Sequence, residues 1–473
     1  MVFSSFVFLF YFLPLLLLLY YAVPRFEWKN TIMLLFSLLF YAWGEPTGIV
    51  ILLAGVSVAW ISGIYISRLQ DRDPNVAKTL LLLAIVFQIG LLLHFKYTSF
   101  LLDTVRPFVP FEIPRSHPGL PIGISFFTFH LISYLVDVYR RQAPALTSFP
   151  KLLLYISLFP QLVAGPIVRY SDIQEQLFRR QVTLEGFSYG VGRFAVGLGK
   201  KVILANTLSE LSPIFLDGSL NDSSLLSAWF GILVFALHIY FDFSGYSDMA
   251  IGLGRMFGFT FKENFEYPYI SRSATEFWRR WNISVGRFFR DYVYIPLGGN
   301  RRHAYLNLFA VWCLTGLWHG ASWNFVMWGL YFGIFIALEK SFLNRLLAHL
   351  PAVVSHLYFA VLVLTGWVFF YFDSLPRAIA YLSVMFGGTS APLYGGELFI
   401  HLENHLFLLA IALIAATPYP ARLHKLVMEQ VRVQWVRSAY ANGLVPTCCI
   451  ALLGISALML VGKTYAPFFY FRF

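Results

Sequence analysis

Charge is what this sequence has least of. Asp, Glu, Lys and Arg make up 12% of the chain, against about 25% in an ordinary soluble domain. Cysteine is nearly absent too, with 3 in 473 residues. Cys313, Cys448 and Cys449 all fall in apolar runs without metal-ligand spacing, which argues against a zinc site and against a disulfide framework. There is no GxxxxGK[ST] loop, no GxGxxG opening a helix after a strand, no HExxH and no GxSxG. ATP hydrolysis, zinc proteolysis and nucleophile-elbow hydrolysis are therefore unsupported. No internal repeat, low-complexity tract or long linker divides the chain, so a single domain over residues 1–473 is expected.

What is abundant is apolar and aromatic: 58% hydrophobic and 19% Phe, Trp or Tyr. Uncharged runs of spanning length or nearly so lie at Phe6–Val23, Gly48–Ser67, Leu152–Val168, Ser223–Phe241, Val354–Phe372 and Tyr440–Gly462. Shorter or broken ones lie at Thr31–Trp43, Thr79–Leu93, Pro121–Val136, Ala378–Gly388 and His405–Pro420. Ala304–Leu338 is too long for one crossing and should divide near Gly316–Gly320. Since a span takes about 20 apolar residues, the expectation is an all-α, multi-pass membrane protein with roughly 11 membrane segments. The N-terminal run has no basic flank or small-residue cleavage site and reads as a retained first helix.

The net charge of +11 then reports membrane orientation and not nucleic-acid binding. Arg25 and Lys29, then Arg68, Arg72 and Lys78, then Arg140, Arg141 and Lys151 follow alternate runs. Placing these basic loops inside puts the N-terminus outside and exports the Pro-rich loop 103–120. By the same rule the block from Lys262 to His303 is cytoplasmic; it carries Arg272, Arg279, Arg280, Arg287, Arg290, Arg301 and Arg302 among many aromatics. Such a segment suits an interfacial anchor in anionic headgroups. It equally suits a pocket for a phosphorylated ligand, since guanidinium forks match phosphate.

That basic block leads straight into the uncharged Ala304–Leu338 run, which carries His319 in TGLWHGASWN. A histidine can accept a hydroxyl proton near neutral pH, and ionisable residues at membrane depth usually serve function. The alternative is a structural histidine bonded between helices. Asn282, in WRRWNIS, could orient a base or donate to an oxyanion, or could simply cap a helix. In HIYFDFSGYSDMAIG the polar groups are too many to face lipid. His238, Asp242, Ser244, Tyr246, Ser247 and Asp248, with Trp318 beside His319, line a tunnel or form a hydrogen-bond network among themselves; His130 and His238 also fit as core histidines. No charged partners alternate near the two aspartates, which argues against a proton relay or cation site. FPQLVAGPIVRY, with Pro160, Gly165 and Pro166, reads as a re-entrant, broken segment.

Taken in order, PIGISFFTFHLISYLVDVYR, FPQLVAGPIVRY, FDFSGYSDMAIGLGRMFGF, EFWRRWNISVGRFFRDYVYIPLGGNRR and LTGLWHGASWNFVMWGLYFG resemble the membrane-bound O-acyltransferase superfamily, within it the bacterial alginate O-acetylation subgroup. The resemblance covers most of residues 1–340 and thins beyond Gly388. It implies a ring of helices around a central tunnel, with His319 as the family histidine. It implies that acetyl groups pass from a cytosolic thioester, acetyl-CoA, to an exported SGNH-type acetyltransferase or a polysaccharide acceptor, with no permanently bound cofactor and no metal. Many alginate-type relatives are expected to carry histidine where Asn282 stands, which leaves His319 as the strong base candidate. Arg279, Arg280, Arg287 and Arg290 become the candidates for the CoA phosphates. D-alanyl transfer to teichoic acid, acyl transfer to a lysolipid, and polysaccharide transport without chemistry are the alternatives.

Overall fold

A computed structural model describes residues 1–110, 119–220 and 223–461. The middle of the 103–120 loop and Gly462, at the end of the last apolar run, lie outside the described residues. Every regular element among the described residues is helical. Among them, 7 helices are long and apolar enough to cross a membrane: Gly48–Leu69, Pro74–Phe108, Leu225–Met256, Trp323–His349, Ala352–Tyr371, Gly396–Ala415 and Gln434–Leu460. Shorter apolar helices at Phe8–Ala22, Ile124–Tyr139 and Leu375–Met385 add to these. The protein is thus an all-α, multi-pass membrane protein. The count of spanning-length helices falls below the roughly 11 segments expected from run length, because several apolar runs are short or interrupted. Large apolar side chains such as Val50, Leu82, Leu83 and Val86 stay exposed along the spans, as a lipid solvent allows.

The chain divides into two compact units, one of residues 1–194 with 249–262, the other of residues 195–248 with 263–473. In the first, α1 (Leu13–Ala22), α2 (Phe26–Gly44), α3 (Gly48–Leu69), α4 (Pro74–Leu92) and α5 (Ile124–Tyr139) are joined by the short α6 (Phe149–Ser157). Rings of Phe3, Phe8, Phe12, Phe40 and Phe159 cluster at centroid distances of 5.2 to 6.2 Å. Arg180 ties this unit together: its Nη1 donates to Asn30 Oδ1 (2.7 Å) and its Nε to Tyr20 Oη (3.2 Å) and to the Phe257 carbonyl (3.0 Å).

The run Leu152–Val168 is not one helix. After α6 comes a 4-residue turn of helix, Phe159–Leu162, and then non-helical backbone to Arg169. Pro160 lacks a donor for a continuing helix. At Gly165 a Cβ would sit 2.4 Å from the Pro160 carbonyl, so the chain folds back on itself only because this residue has none. The freed polar groups find partners inside the protein. Tyr155 Oη donates to the Val168 carbonyl (2.9 Å), and Phe159 N–H donates to Ser37 Oγ (3.2 Å). Residues 152–168 are buried throughout, as broken backbone at membrane depth requires.

In the second unit, after α7 (Leu184–Gly199), which enters it from the first, and α8 (Asn206–Leu216), comes α9 (Leu225–Met256), of which residues 225–248 belong here. The apolar window of α9 is 72% buried, whereas that of Gln434–Leu460 is 6% buried. That contrast explains why α9 can carry His238, Asp242, Ser244, Ser247 and Asp248, all buried. The two aspartates do have charged partners, contrary to the expectation from local sequence. Lys201 Nζ lies 2.5 Å from Asp242 and Lys200 Nζ 2.7 Å from Asp248. Both lysines sit on the wide turn Lys200–Ala205 between α7 and α8, too far along the chain to be read as neighbours.

The remaining elements are α10 (Ala274–Arg280), α11 (Ile283–Phe289), α12 (Ala304–His319), α13 (Trp323–Leu338), α14 (Ala352–Tyr371) and, beyond them, α15 (Leu375–Met385), α16 (Gly396–Ala415), α17 (Tyr419–Gln430) and α18 (Val445–Leu460). The long uncharged run divides as expected, into α12 and α13, with the break at Gly320 to Ser322. The two helices meet backbone to backbone. A Cβ on Gly316 would lie 2.2 Å from the Phe325 carbonyl, and one on Gly329 would lie 2.3 Å from the Trp312 carbonyl. Small residues permit this close approach, the usual contact between helices in lipid.

Candidate active site

His319 is the last residue of α12, at the point where Gly320 turns extended. It is 4% exposed. Its ring is held edge-on by Trp318 (4.8 Å), Trp328 (4.8 Å) and Phe370 (5.4 Å). Aromatic packing of this kind leaves the imidazole little freedom to rotate. The aromatic contacts continue from Trp328 to Trp278 (5.3 Å) and from Trp278 to Trp312 (5.1 Å).

α10 and α11 present the second half of the site. Ser273 caps α10 by accepting from Glu276 N–H (3.1 Å). A buried carboxylate does more. Glu339, at the end of α13 and 1% exposed, accepts from Ala274 N–H (2.7 Å), Thr275 N–H (2.8 Å), Thr275 Oγ1 (2.6 Å) and Tyr358 Oη (3.0 Å). A negative group at a helix N-terminus satisfies its open donors and meets its dipole. The far end of α10 carries Trp278, Arg279 and Arg280, and the turn into α11 carries Trp281 and Asn282.

That turn is unusual. Asn282 has φ 44° and ψ 53°, the left-handed region, which asparagine tolerates better than most side chains. Asn282 precedes α11 but does not cap it with its side chain. The cap comes from Asn264, whose carbonyl accepts from Ile283 N–H (3.0 Å) and whose Oδ1 accepts from Ser284 N–H (3.0 Å).

Asn282 and His319, far apart in sequence, line the same cavity of ≈ 570 Å³. Its walls are mostly apolar, with Trp278, Trp281, Trp312, Phe289, Val311 and Ile336 among them, and Arg279, Arg287 and Arg290 also line it. All three arginines are exposed. Arg279 and Arg287 have no carboxylate partner among the described residues, while Arg290 pairs with Asp291 (2.7 Å), which raises the pKa of its guanidinium. Arg280 is not part of this lining. It turns instead to Glu276 (2.9 Å) and to the Glu266 carbonyl (3.2 Å). Nor do His238, Asp242, Ser244, Tyr246, Asp248 or Trp318 line the cavity. The two aspartates are engaged by Lys200 and Lys201, and Trp318 packs on the His319 ring.

Chemically, the arrangement offers an imidazole and an amide at a mostly apolar cavity that also carries guanidinium groups. Cavities of this size enclose small-molecule ligands. Sequence reasoning missed Asn264, Glu339, Lys200, Lys201 and the tryptophan wall. Glu339 had one visible signal: it is the first charge after the uncharged stretch Ala304–Leu338.

The model of the membrane-bound O-acyltransferase family matches residues 125–373, a span that contains both His319 and Asn282. A probable alginate O-acetylase of Pseudomonas aeruginosa is 42% identical over 401 residues, covering 82% of this chain and 75% of the relative. Another probable alginate O-acetylase, from Azotobacter vinelandii, is 37% identical over 508 residues and covers 100% of both chains. A peptidoglycan O-acetyltransferase of Helicobacter pylori is 30% identical over 527 residues, 100% of this chain and 98% of the relative. The chain belongs to the membrane-bound O-acyltransferase family, and it is an O-acyltransferase.

Proposed function

We propose that this enzyme takes acetyl groups from cytosolic acetyl-CoA and passes them across a bacterial inner membrane for O-acetylation of a polysaccharide, with an exported SGNH-type acetyltransferase completing the transfer. The observation that carries the reading is the meeting of His319 and Asn282 at one cavity that Arg279, Arg287 and Arg290 also line. The names of the relatives, alginate O-acetylase and peptidoglycan O-acetyltransferase, support the acetyl group and the polysaccharide. The basic segment is the cytosolic side, the N-terminus is outside, and the chain acts as one domain.

The thioester already carries the activation, so no nucleotide is hydrolysed. Arg279 and Arg287 hold the CoA phosphates, with Arg290 beside them, and the pantetheine arm lies along the tryptophan wall toward His319. His319 takes the proton from the acceptor hydroxyl as its oxygen bonds to the thioester carbonyl carbon. The carbonyl oxygen gains negative charge, and the Asn282 amide N–H donates to it. When the carbon–sulfur bond breaks, the imidazolium returns the proton to the leaving sulfur. The products are the O-acetyl ester and CoA thiol. Base catalysis of this kind is worth about 10²–10⁴-fold.

The test is CoA release from acetyl-CoA by protein in proteoliposomes, with the exported acetyltransferase and polysaccharide supplied. His319→Ala should lower release by about 10²-fold or more while the protein remains folded. Equal release by wild type and variant overturns the role of His319. No release by either, with partner and acceptor present, overturns acetyl-CoA as donor and favours a carrier-protein thioester.

A further inference from the structure

We infer that Asn264 is a positioning residue for the transfer: it takes over the capping of α11 so that the Asn282 amide is released toward the cavity. This rests on the role proposed for Asn282. The motivating fact is a mismatch between position and use. Asn282 occupies the N-cap position of α11, where an asparagine side chain ordinarily accepts from the second or third helical N–H. It makes no such bond. The N–H groups of Ile283 and Ser284 are instead bonded by the carbonyl and the Oδ1 of Asn264, at 3.0 Å each.

Asn264 is held firmly in this position. It is completely buried, and its Nδ2 donates to Ser247 Oγ on α9 at 3.3 Å. The Ser284 N–H assigns the amide: a backbone donor must face Oδ1, which turns Nδ2 toward the serine. Two residues on, Glu266 N–H donates to the Arg280 carbonyl at 2.9 Å. The segment 264–266 therefore grips the turn on both sides of Asn282, before it at Arg280 and after it at Ile283 and Ser284. Between the grips Trp281 is 1% exposed and packs against Phe265 (5.1 Å) and Trp367 (5.0 Å). A left-handed, non-glycine residue persists where its surroundings over-determine it, and here they do.

The consequence concerns catalysis more than binding. Without the Asn264 cap, Asn282 can return its own amide to the Ser284 N–H and withdraw it from the cavity. Misplacement of a reacting group by about 1 Å can cost about 10²-fold. Arg279 stands on α10, whose start Ser273 and Glu339 hold, and a substitution at Asn264 leaves its carbonyl bond to Ile283 N–H at the start of α11, so the arginines that line the cavity keep their places.

The experiment is a double-mutant cycle on the full-length protein in proteoliposomes, read as CoA release at varied acetyl-CoA. Asn264→Ala should lower kcat about tenfold or more with KM for acetyl-CoA within about twofold. In an Asn282→Ala background the same change should cost less than about threefold, because there is no amide left to position. Asn264→Asp keeps an oxygen acceptor for Ser284 N–H and can accept from Ser247 Oγ; it should retain more activity than Asn264→Ala. If Asn264→Ala does not give a folded protein, Asn264→Gln takes its place in the cycle. An equal loss from the Asn264 substitution in both backgrounds, a rise in KM with unchanged kcat, or no loss at all overturns the inference. Full activity in Asn282→Ala alone overturns the role of Asn282 itself, a separate failure.

Discussion

Replacing Glu339 tests the framework that holds α10 in place. In Glu339→Ala the Ala274 N–H, on a completely buried residue, loses its acceptor, as do Thr275 N–H and the hydroxyls of Thr275 and Tyr358. An orphaned buried donor costs about 1–3 kcal/mol. Hydroxyls can turn to other acceptors, so the backbone donors dominate. The lost charge–dipole contact adds up to about 2 kcal/mol in buried geometry. The alanine variant should thus be destabilised by about 3–5 kcal/mol, in the range for breaking a buried charged contact. Glu339→Gln keeps one oxygen for one N–H and turns an NH₂ toward the other, so it should lose about 1–3 kcal/mol. The assay is thermal unfolding in detergent followed by tryptophan fluorescence, with CoA release measured below the transition. The ranking expected is wild type, then Gln, then Ala. KM for acetyl-CoA should rise in the same order, since α10 carries Trp278 and Arg279 to the cavity. Melting of both variants within about a degree of wild type would refute the reasoning, because it would mean that those donors are satisfied without Glu339.

The arginines separate by geometry. Arg279→Gln and Arg287→Gln should raise KM for acetyl-CoA, with kcat nearly unchanged and the loss shrinking at high salt as screening takes over. Arg280→Gln, whose guanidinium serves Glu276 and Glu266, should leave KM within about twofold; an equal rise for Arg280 would contradict the assignment. In α9, Lys201→Met removes the cation 2.5 Å from Asp242 and should destabilise by about 3–5 kcal/mol, while Lys201→Met with Asp242→Leu should recover most of it. Thermal unfolding of the single and double variants decides this, and a double variant no better than the single would show that Asp242 has work beyond the pair.

How much was legible in advance depended on how far along the chain the cause lay. The division of Ala304–Leu338 into α12 and α13 was readable from run length and the glycines near Gly316–Gly320. His319 stood out because a lone histidine inside an uncharged stretch is conspicuous. By contrast, the sequence left Asn282 open between a helix cap and a role at the site, and only the tertiary structure shows that the cap of α11 comes from Asn264. Arg279 and Arg280 are adjacent and chemically identical, yet one lines the cavity and the other folds back to Glu276. Successive positions on a helix point about 100° apart, and where each one lands is set by the helix axis, which Glu339 fixes from a residue 65 positions away.

By itself, then, the sequence determined the solvent this protein lives in, the kind of helices it must build and the histidine, His319, in its long uncharged stretch. Each of these follows from local composition, since burying charge in lipid is costly over any stretch long enough to span. The tertiary structure alone decided the pairing of Lys200 and Lys201 with the aspartates of α9, the cap that frees Asn282, and which guanidinium groups line the cavity. Those are matters of direction and distance between remote residues, and they exist only once the helices have packed.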